Sequence, residues 1–197
     1  GHGLSQAPEL AIFKCRDSTT AWYVNATEIS DGSEKPLELD STGAIGSAYT
    51  GYWNDADPSA SLITLGDYSG LNSTGANIIY AFHSVEGFSK IGTYEGNGDD
   101  DGPFVYTGFR PAYILIRRYD SGNSWIIQDD ARSPYNTVKA WLNADDATDE
   151  YTGWTGLDMN SNGFKPRDGS ANTMNASGGD YLYMAFASTP FKTANAR

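Results

Sequence analysis

The chain has 197 residues, of which 39% are hydrophobic and 13% aromatic, enough to bury a substantial core in one large domain or two small ones. Its 25 acidic and 13 basic residues give a net charge of −12 that is spread along the chain. Nucleic acid and anionic membranes are therefore not expected partners, and no apolar run has the length that membrane insertion requires. The 22 Gly and 8 Pro leave little room for long helices and favour short strands joined by tight turns.

The first elements in chain order are two strands joined by a turn, and this pair occurs twice. An apolar run at residues 10–13 precedes a strand at Trp22, and a similar run at 113–116 precedes one at Trp125. Continuous apolar character is typical of a strand that is covered on both faces. The two tryptophans fall about 103 residues apart, and we expect both to anchor the core.

The next elements keep the same offset. Residues 135–152 show helical spacing, but the matching segment of the first half contains Pro36, which favours a strand in both halves. Residues 77–82 and 180–186 follow Gly-containing turns, are rich in β-branched and aromatic residues, and are predicted strands. We therefore predict an internal duplication, with repeat 1 at residues 1–92 and repeat 2 at 107–192.

Residues 93–106 connect the two repeats. An ordinary flexible linker would lack the aromatic residues that stand near both ends of this segment, Tyr94, Phe104 and Tyr106. We expect the connection to be packed as strand, turn and strand. The prediction is then a single domain over residues 1–197, an all-β antiparallel β-sandwich of two similar halves related by a pseudo-two-fold axis.

Aromatic side chains beside turn residues are the best candidates for ligand binding. Tyr52, Trp53 and Asp55, and likewise Tyr151 and Trp154, lie among Gly, Asp and Asn, where turns are expected to be exposed. An exposed aromatic ring can stack on a sugar while neighbouring polar groups hold its hydroxyls. The alternative is an aromatic cap over the sandwich edge or a subunit contact, because Tyr and Trp are also enriched at protein interfaces.

A second candidate site is the acidic loop between the repeats. Asn97, Asp99 and Asp101 offer hard oxygen ligands in a Gly-flanked turn, which suits calcium, although the loop lacks the downstream Glu of an EF-hand. The alternative is a solvated acidic turn. Transition metals are not expected, because His2, His83 and the lone Cys15 are too few and too scattered to form a ligand set. No other cofactor is expected.

Catalytic patterns are incomplete. Glu38-Leu39-Asp40 begins the Glu-x-Asp-x-x-Glu strand of jelly-roll glucanases, but Gly43 stands where the last Glu belongs. The general acid that must protonate the leaving group is therefore missing. No nucleophile elbow and no Cys-His pair at informative spacing occurs. We do not expect an enzyme.

The sequence resembles a family of phage structural proteins, common in marine phages, whose members are described as virion or tail-fibre-like proteins with an uncharacterised domain. The resemblance covers almost the entire chain. The segments that carry it are GHGL at 1–4 with Pro8, WYV at 22–24, VEGFSK at 85–90, NG at 97–98, DGPFV at 101–105, TGFRPA at 107–112, SNGFK at 161–165 and YMAFA at 183–187.

The resemblance implies a β-sandwich on a virion surface, in the style of concanavalin-like jelly rolls, although fold alone does not settle function. We expect a tail-fibre or spike head that recognises a host glycan or other receptor without chemistry. The alternatives are a capsid-decoration or fibre-assembly domain and, more weakly, a carbohydrate-active hydrolase. Other virion subunits are expected partners, in a homo-oligomer that would be a trimer within a fibre. The chain, which opens without Met, is expected to be a segment or processed product of a longer protein.

Overall fold

The computed structural model describes residues 1–29, 35–72, 74–153, 156–169 and 173–188. Within these residues the chain is all-β, with twelve strands in three antiparallel sheets and no helix. It divides into two compact units, Gly1–His83 and Ser84–Arg197. The strands are β1 (Leu10–Cys15), β2 (Tyr23–Ala26), β3 (Leu37–Glu38), β4 (Asn77–Phe82), β5 (Ser89–Glu95), β6 (Val105–Tyr106), β7 (Pro111–Arg118), β8 (Trp125–Asp129), β9 (Trp141–Asn143), β10 (Leu157–Asn160), β11 (Gly163–Pro166) and β12 (Asp180–Ala187).

Unit 1 is built on one four-stranded sheet with the order β3-β2-β1-β4. The central strand β1 is buried along almost its whole length, as its continuous apolar run predicts. One face of the sheet packs against residues 52–71, which form no regular strand. This segment contributes Trp53 and Leu71 to a buried cluster. Around that cluster lie the partly buried rings of Tyr52 and Tyr68. The covering layer of unit 1 is therefore made of turns and aromatic side chains.

Unit 2 contains a five-stranded sheet, β5-β12-β7-β8-β9, and a three-stranded sheet, β10-β11-β6. Both sheets supply residues to one buried cluster, for example Ile114 and Tyr183 from the larger sheet and Met159 and Phe164 from the smaller. Two sheets that share a core in this way are consistent with a β-sandwich. The covering layer of unit 2 is thus a regular sheet, unlike that of unit 1.

The four strands of the sheet in unit 1 have the same order as four of the five strands in the larger sheet of unit 2, and nearly the same register. Leu10 pairs with Ala26 in unit 1, and Tyr113 pairs with Asp129 at the equivalent place in unit 2. Leu10 also pairs with Phe82, as Tyr113 does with Phe186. The outer pairs differ, because β9 is displaced by two residues against β8 relative to β3 against β2. A shift of two keeps every side chain on its original face of the sheet.

Side-chain contacts around the two predicted anchor tryptophans recur as well. The Trp22 amide donates to Asp40 Oδ1 at 2.9 Å, and the Trp125 amide donates to Asp145 Oδ1 at 2.8 Å. A cation lies over each ring, Lys14 in unit 1 and Arg117 in unit 2, at 5.8 and 5.6 Å from the ring centroids. Trp125 is buried, as expected of a core anchor, while Trp22 is only half-buried.

The segment with helical spacing forms a strand, β9, as Pro36 in its counterpart indicated. The predicted connection at residues 93–106 contains the end of β5, a loop and β6. Its two strands do not pair with each other, because β5 joins β12 and β6 joins β11. Tyr94 packs against the core of unit 2, but the expectation that Phe104 and Tyr106 are also packed is wrong, since both are exposed.

Candidate functional site

The outer face of the three-stranded sheet in unit 2 carries two exposed aromatic side chains close together. Alternate residues of each strand point inward, where Val105, Met159 and Phe164 are buried. The intervening residues point outward, because successive side chains of a strand lie on opposite faces. We call this outer face the aromatic platform and define it by Phe104 and Tyr106, Asp158 and Asn160, and Gly163 and Lys165.

Two aromatic rings dominate the platform. The Phe104 side chain is 48% exposed and that of Tyr106 is 65% exposed. Their neighbour on the central strand is Gly163, which pairs with Tyr106. A Cβ at Gly163 would lie 2.8 Å from Phe104 Cζ and 2.2 Å from the Val105 carbonyl oxygen. The absence of a side chain at residue 163 therefore lets the Phe104 ring lie across the middle of the sheet.

Charged groups lie beside the rings in a connected network. Lys165 Nζ lies 2.7 Å from Asp101 Oδ1, and Arg167 Nη1 donates to the same oxygen at 2.6 Å. Arg167 Nε donates to Asp158 Oδ2 at 2.7 Å, and Thr137 Oγ1 donates to the other oxygen of Asp158 at 3.1 Å. The platform thus offers carboxylate oxygens and cationic N–H groups next to two ring faces.

The network also shifts the pKa values of Asp101 and Arg167. The hydrogen bond from Lys165 and its positive charge, followed by the charge of Arg167, lower the pKa of Asp101 below its ordinary value. The hydrogen bond to Asp158 raises the pKa of Arg167 above its ordinary value. Asp101 therefore stays ionised at acidic pH values where an isolated carboxyl would begin to take up a proton.

The acidic loop predicted to bind calcium borders this platform, and its oxygens already have partners. Asn97 Oδ1 accepts from the Asp99 amide at 3.0 Å and from Asn175 Nδ2 at 3.0 Å. Asp99 Oδ1 accepts from the Asp101 amide at 2.9 Å, and Asp101 carries the two cations described above. Within the described ranges no group of three or more His, Cys, Asp or Glu is placed to hold a metal ion. Calcium binding at this loop stays a prediction.

The expectation that Trp53 is exposed is wrong, because its side chain is 1% exposed. The backbone reverses at Asn54 and Asp55, which have φ values of 56° and 50° in the left-handed region that Asn and Asp tolerate. This reversal directs the Trp53 ring inward, 4.6 Å from the ring of Phe13. Tyr52 is partly buried beside it and Asp55 is exposed, so this turn presents no open Trp face.

The other predicted aromatic pair is described only in part. Tyr151 is partly buried and stacks on Trp141, with the ring centroids 5.2 Å apart. Backbone hydrogen bonds run in both directions between the same two residues. Trp154 lies outside the described residues. The Tyr151 ring therefore acts in packing at the edge of unit 2.

Glu38, at the start of the incomplete glucanase pattern, lines a concavity of about 150 Å³ with Ser41 and Tyr52. Among the described lining residues Glu38 is the only carboxylate. Asp40 does not line this concavity, and its Oδ1 accepts a hydrogen bond from the Trp22 amide. Glycoside hydrolysis by paired carboxylates would need a second carboxyl group opposite Glu38.

The platform residues were not predicted from the sequence, although a signal was present. The three residues Phe104, Val105 and Tyr106 alternate, so burying Val105 forces both rings outward. In the sequence alone, the aromatic residues of this segment indicate packing instead.

Comparison with known proteins adds one match. Residues 1–190 match the model of a family described as Domain of unknown function (DUF7483). The chain belongs to this family. The range matched by DUF7483 covers all of unit 1 and extends through β12 of unit 2, so the aromatic platform is part of the matched domain.

No curated protein and no solved structure matches this DUF7483 chain. Among the described residues no helix is both long enough and apolar enough to span a bilayer.

Proposed function

We propose that this chain is a surface module of a phage virion, the head of a tail fibre or spike, and that it binds a host glycan without catalysing a reaction. The resemblance of the sequence to phage structural proteins supports the location on the virion. Three of the segments that carry this resemblance, residues 101–105, 107–112 and 161–165, contribute to the platform or adjoin it.

The observation that carries the glycan proposal is the pair of exposed rings on the platform. Sugar rings expose C–H groups that pack on aromatic faces, and their hydroxyls need donors and acceptors close by. Phe104 and Tyr106 supply the faces, while Asn160, Lys165 and Asp158 supply the polar groups. The net charge of −12 disfavours acidic sugars, so we propose a neutral glycan as the ligand.

We also propose an origin and an arrangement for the two units. We infer that the two units arose by internal duplication, because the central strand pairs and the tryptophan contacts recur at equivalent positions. We also propose a jelly-roll arrangement and a pseudo-two-fold relation between the halves. In the virion we propose a homo-oligomer, a trimer if the module belongs to a fibre.

A glycan array probed with the full chain tests the proposed function. We expect selective binding to neutral glycans, reduced about tenfold by Tyr106→Ala and by Phe104→Ala, because a stacking contact contributes about 1.4 kcal/mol. Tyr80→Ala, which removes a ring of similar exposure from unit 1, is the matched control and should leave binding unchanged. A chain that binds no glycan selectively contradicts the proposal.

That negative result would favour the alternative, a capsid-decoration or fibre-assembly domain whose exposed rings contact other subunits. The specific observation behind this alternative is the same ring pair, since aromatic residues are enriched at subunit interfaces. A carbohydrate-active hydrolase is the weakest candidate. It would require hydrolysis of a glycan by the wild-type chain and loss of that activity in Glu38→Gln.

A further inference from the structure

In the part of the chain that the structure describes, strand β4 of unit 1 lacks a neighbour that its counterpart in unit 2 possesses. Among the described residues β4 stands at the end of its sheet, after β1. The strand at the equivalent place in unit 2 is β12, which pairs with β7 on one side and with β5 on the other. As far as the described residues go, unit 1 therefore has one sheet edge open where unit 2 has a paired strand.

The open edge presents backbone groups of known direction. Arg16 N–H donates to the Ala76 carbonyl, so the backbone groups of Ala76 face β1. In an antiparallel strand, every second residue directs its N–H and its C=O toward the same neighbouring strand. Ile78 and Tyr80 therefore face β1, and Ile79 and Ala81 face the open edge.

The same parity holds in unit 2. There Gly96 N–H donates to the Gly179 carbonyl, which assigns the backbone groups of Tyr183 and Ala185 to β5. Since Tyr183 and Ala185 are the counterparts of Ile79 and Ala81, the outward groups of β4 correspond to the groups that β5 occupies in unit 2.

The side chains along this edge are apolar and accessible. Ile79 is 41% exposed and Tyr80 is 46% exposed. A groove of about 470 Å³ runs beside the strand, lined by residues 79–82 together with His2 and Ile63. Edge strands that must avoid pairing usually carry Lys or Pro, or are bulged or very short. The six residues of β4 include no charge and no Pro.

We propose that the open edge of β4 is an acceptor site for an extended polypeptide strand with the pattern of β5, donated by a different protein and not by a second copy of this chain. Unit 2 defines the register of the donor strand. Gly92 pairs with Tyr183 and Lys90 pairs with Ala185, so the donor places a small residue opposite Ile79 and tolerates a long side chain opposite Ala81. Binding of this kind adds a strand to a sheet through main-chain hydrogen bonds. The site lies on unit 1 and does not depend on glycan binding by the platform.

A synthetic peptide of residues 87–96, which contains β5, tests the proposal against the full chain. We expect saturable binding by fluorescence anisotropy and at least tenfold slower hydrogen exchange at the amides of Ile79 and Ala81. Ala81→Pro should abolish binding because it removes an outward N–H. The same variant should preserve the β1–β4 pairing, since proline is accepted on edge strands when its nitrogen faces outward.

Two controls separate strand addition from other contacts. Ala81→Val keeps the N–H and should bind the peptide like the wild type, and a peptide with Gly92→Pro should not bind. Three results would overturn the proposal. They are the absence of saturable binding, binding that Ala81→Pro leaves unchanged, and a free chain that is already a dimer with protected Ile79 and Ala81 amides.

Discussion

The Tyr94 side chain, which packs against the core of unit 2, contributes to the stability of that unit through its hydroxyl. It donates to the Met174 carbonyl at 2.7 Å, and the ring stacks on Tyr181 with the centroids 4.9 Å apart. Burial, followed by the nearby Tyr181, raises the pKa of Tyr94 well above its ordinary value. The folded state thus keeps a proton that the unfolded chain releases above pH ~10. The stabilisation is complete below that pH and is lost as the pH rises beyond it.

We predict that Tyr94→Phe lowers the free energy of unfolding at pH 7 by about 1–3 kcal/mol, because the Met174 carbonyl loses its partner. Between pH ~10 and pH ~11 the wild type should lose up to about 1.4 kcal/mol more than the variant. Urea unfolding at the three pH values measures both effects. Tyr106→Phe, at an exposed ring, is the control and should match the wild type at pH 7. A difference between wild type and Tyr94→Phe that stays constant up to pH 11 would refute this account.

Arg117 is a second residue whose pKa is shifted by burial. It is fully buried over the Trp125 ring, and burial lowers its pKa to about 10, partly opposed by the charge of Asp145. The guanidinium therefore remains charged at neutral pH inside unit 2. Its counterpart Lys14 is only half-buried. The contact between a cation and a Trp ring therefore costs less desolvation free energy in unit 1 than in unit 2.

At the scale of elements, the recurrent hydrogen bond from a Trp amide to an Asp carboxylate ties the start of one strand to the residues that follow its neighbour, β2 to β3 in unit 1 and β8 to β9 in unit 2. We predict that Asp40→Ala lowers the free energy of unfolding by about 1 kcal/mol, the usual contribution of one hydrogen bond. Asp145→Ala should cost about 2 kcal/mol, because it also removes the carboxylate whose charge supports Arg117.

Chemical denaturation of the two variants measures this order, with Asp40→Asn and Asp145→Asn as controls that keep an acceptor oxygen. A larger loss for Asp40→Ala, or no loss at either site, would contradict the contribution assigned to these two carboxylates.

The sequence predicted those elements that both halves carry. The offset between Trp22 and Trp125 predicted two similar sheets, and Pro36 excluded a helix at the position of β9. Duplication is informative because a pattern that is ambiguous in one copy can be resolved by the other.

The covering layers were beyond this reasoning, since they differ between the units. Residues 49–72 of unit 1 look like exposed turns because they are rich in Gly, Asp and Ser, but the turn at Asn54 and Asp55 buries Trp53. Local composition does not show which way a turn directs its ring. The pairing of β6 with β11 joins segments about 60 residues apart, and no local pattern specifies a contact of that range.

For the whole molecule, charge and exposed surface together limit the partners. The net charge of −12 opposes phosphate-bearing ligands, while the rings of the platform and the open edge of β4 offer two different contacts, one for a neutral ring and one for an extended strand. Neither proposed contact needs a catalytic group, in keeping with the attachment role that we propose.

Mapping the bound glycan on the surface tests the central claim most directly. The measurement is an NMR titration of the labelled full chain with the strongest binder from the glycan array, following backbone amide and aromatic side-chain signals. We predict chemical-shift changes centred on Phe104, Tyr106, Asn160 and Lys165. Changes centred on Tyr52 and its neighbours in unit 1, or no localised change at saturation, would contradict the account.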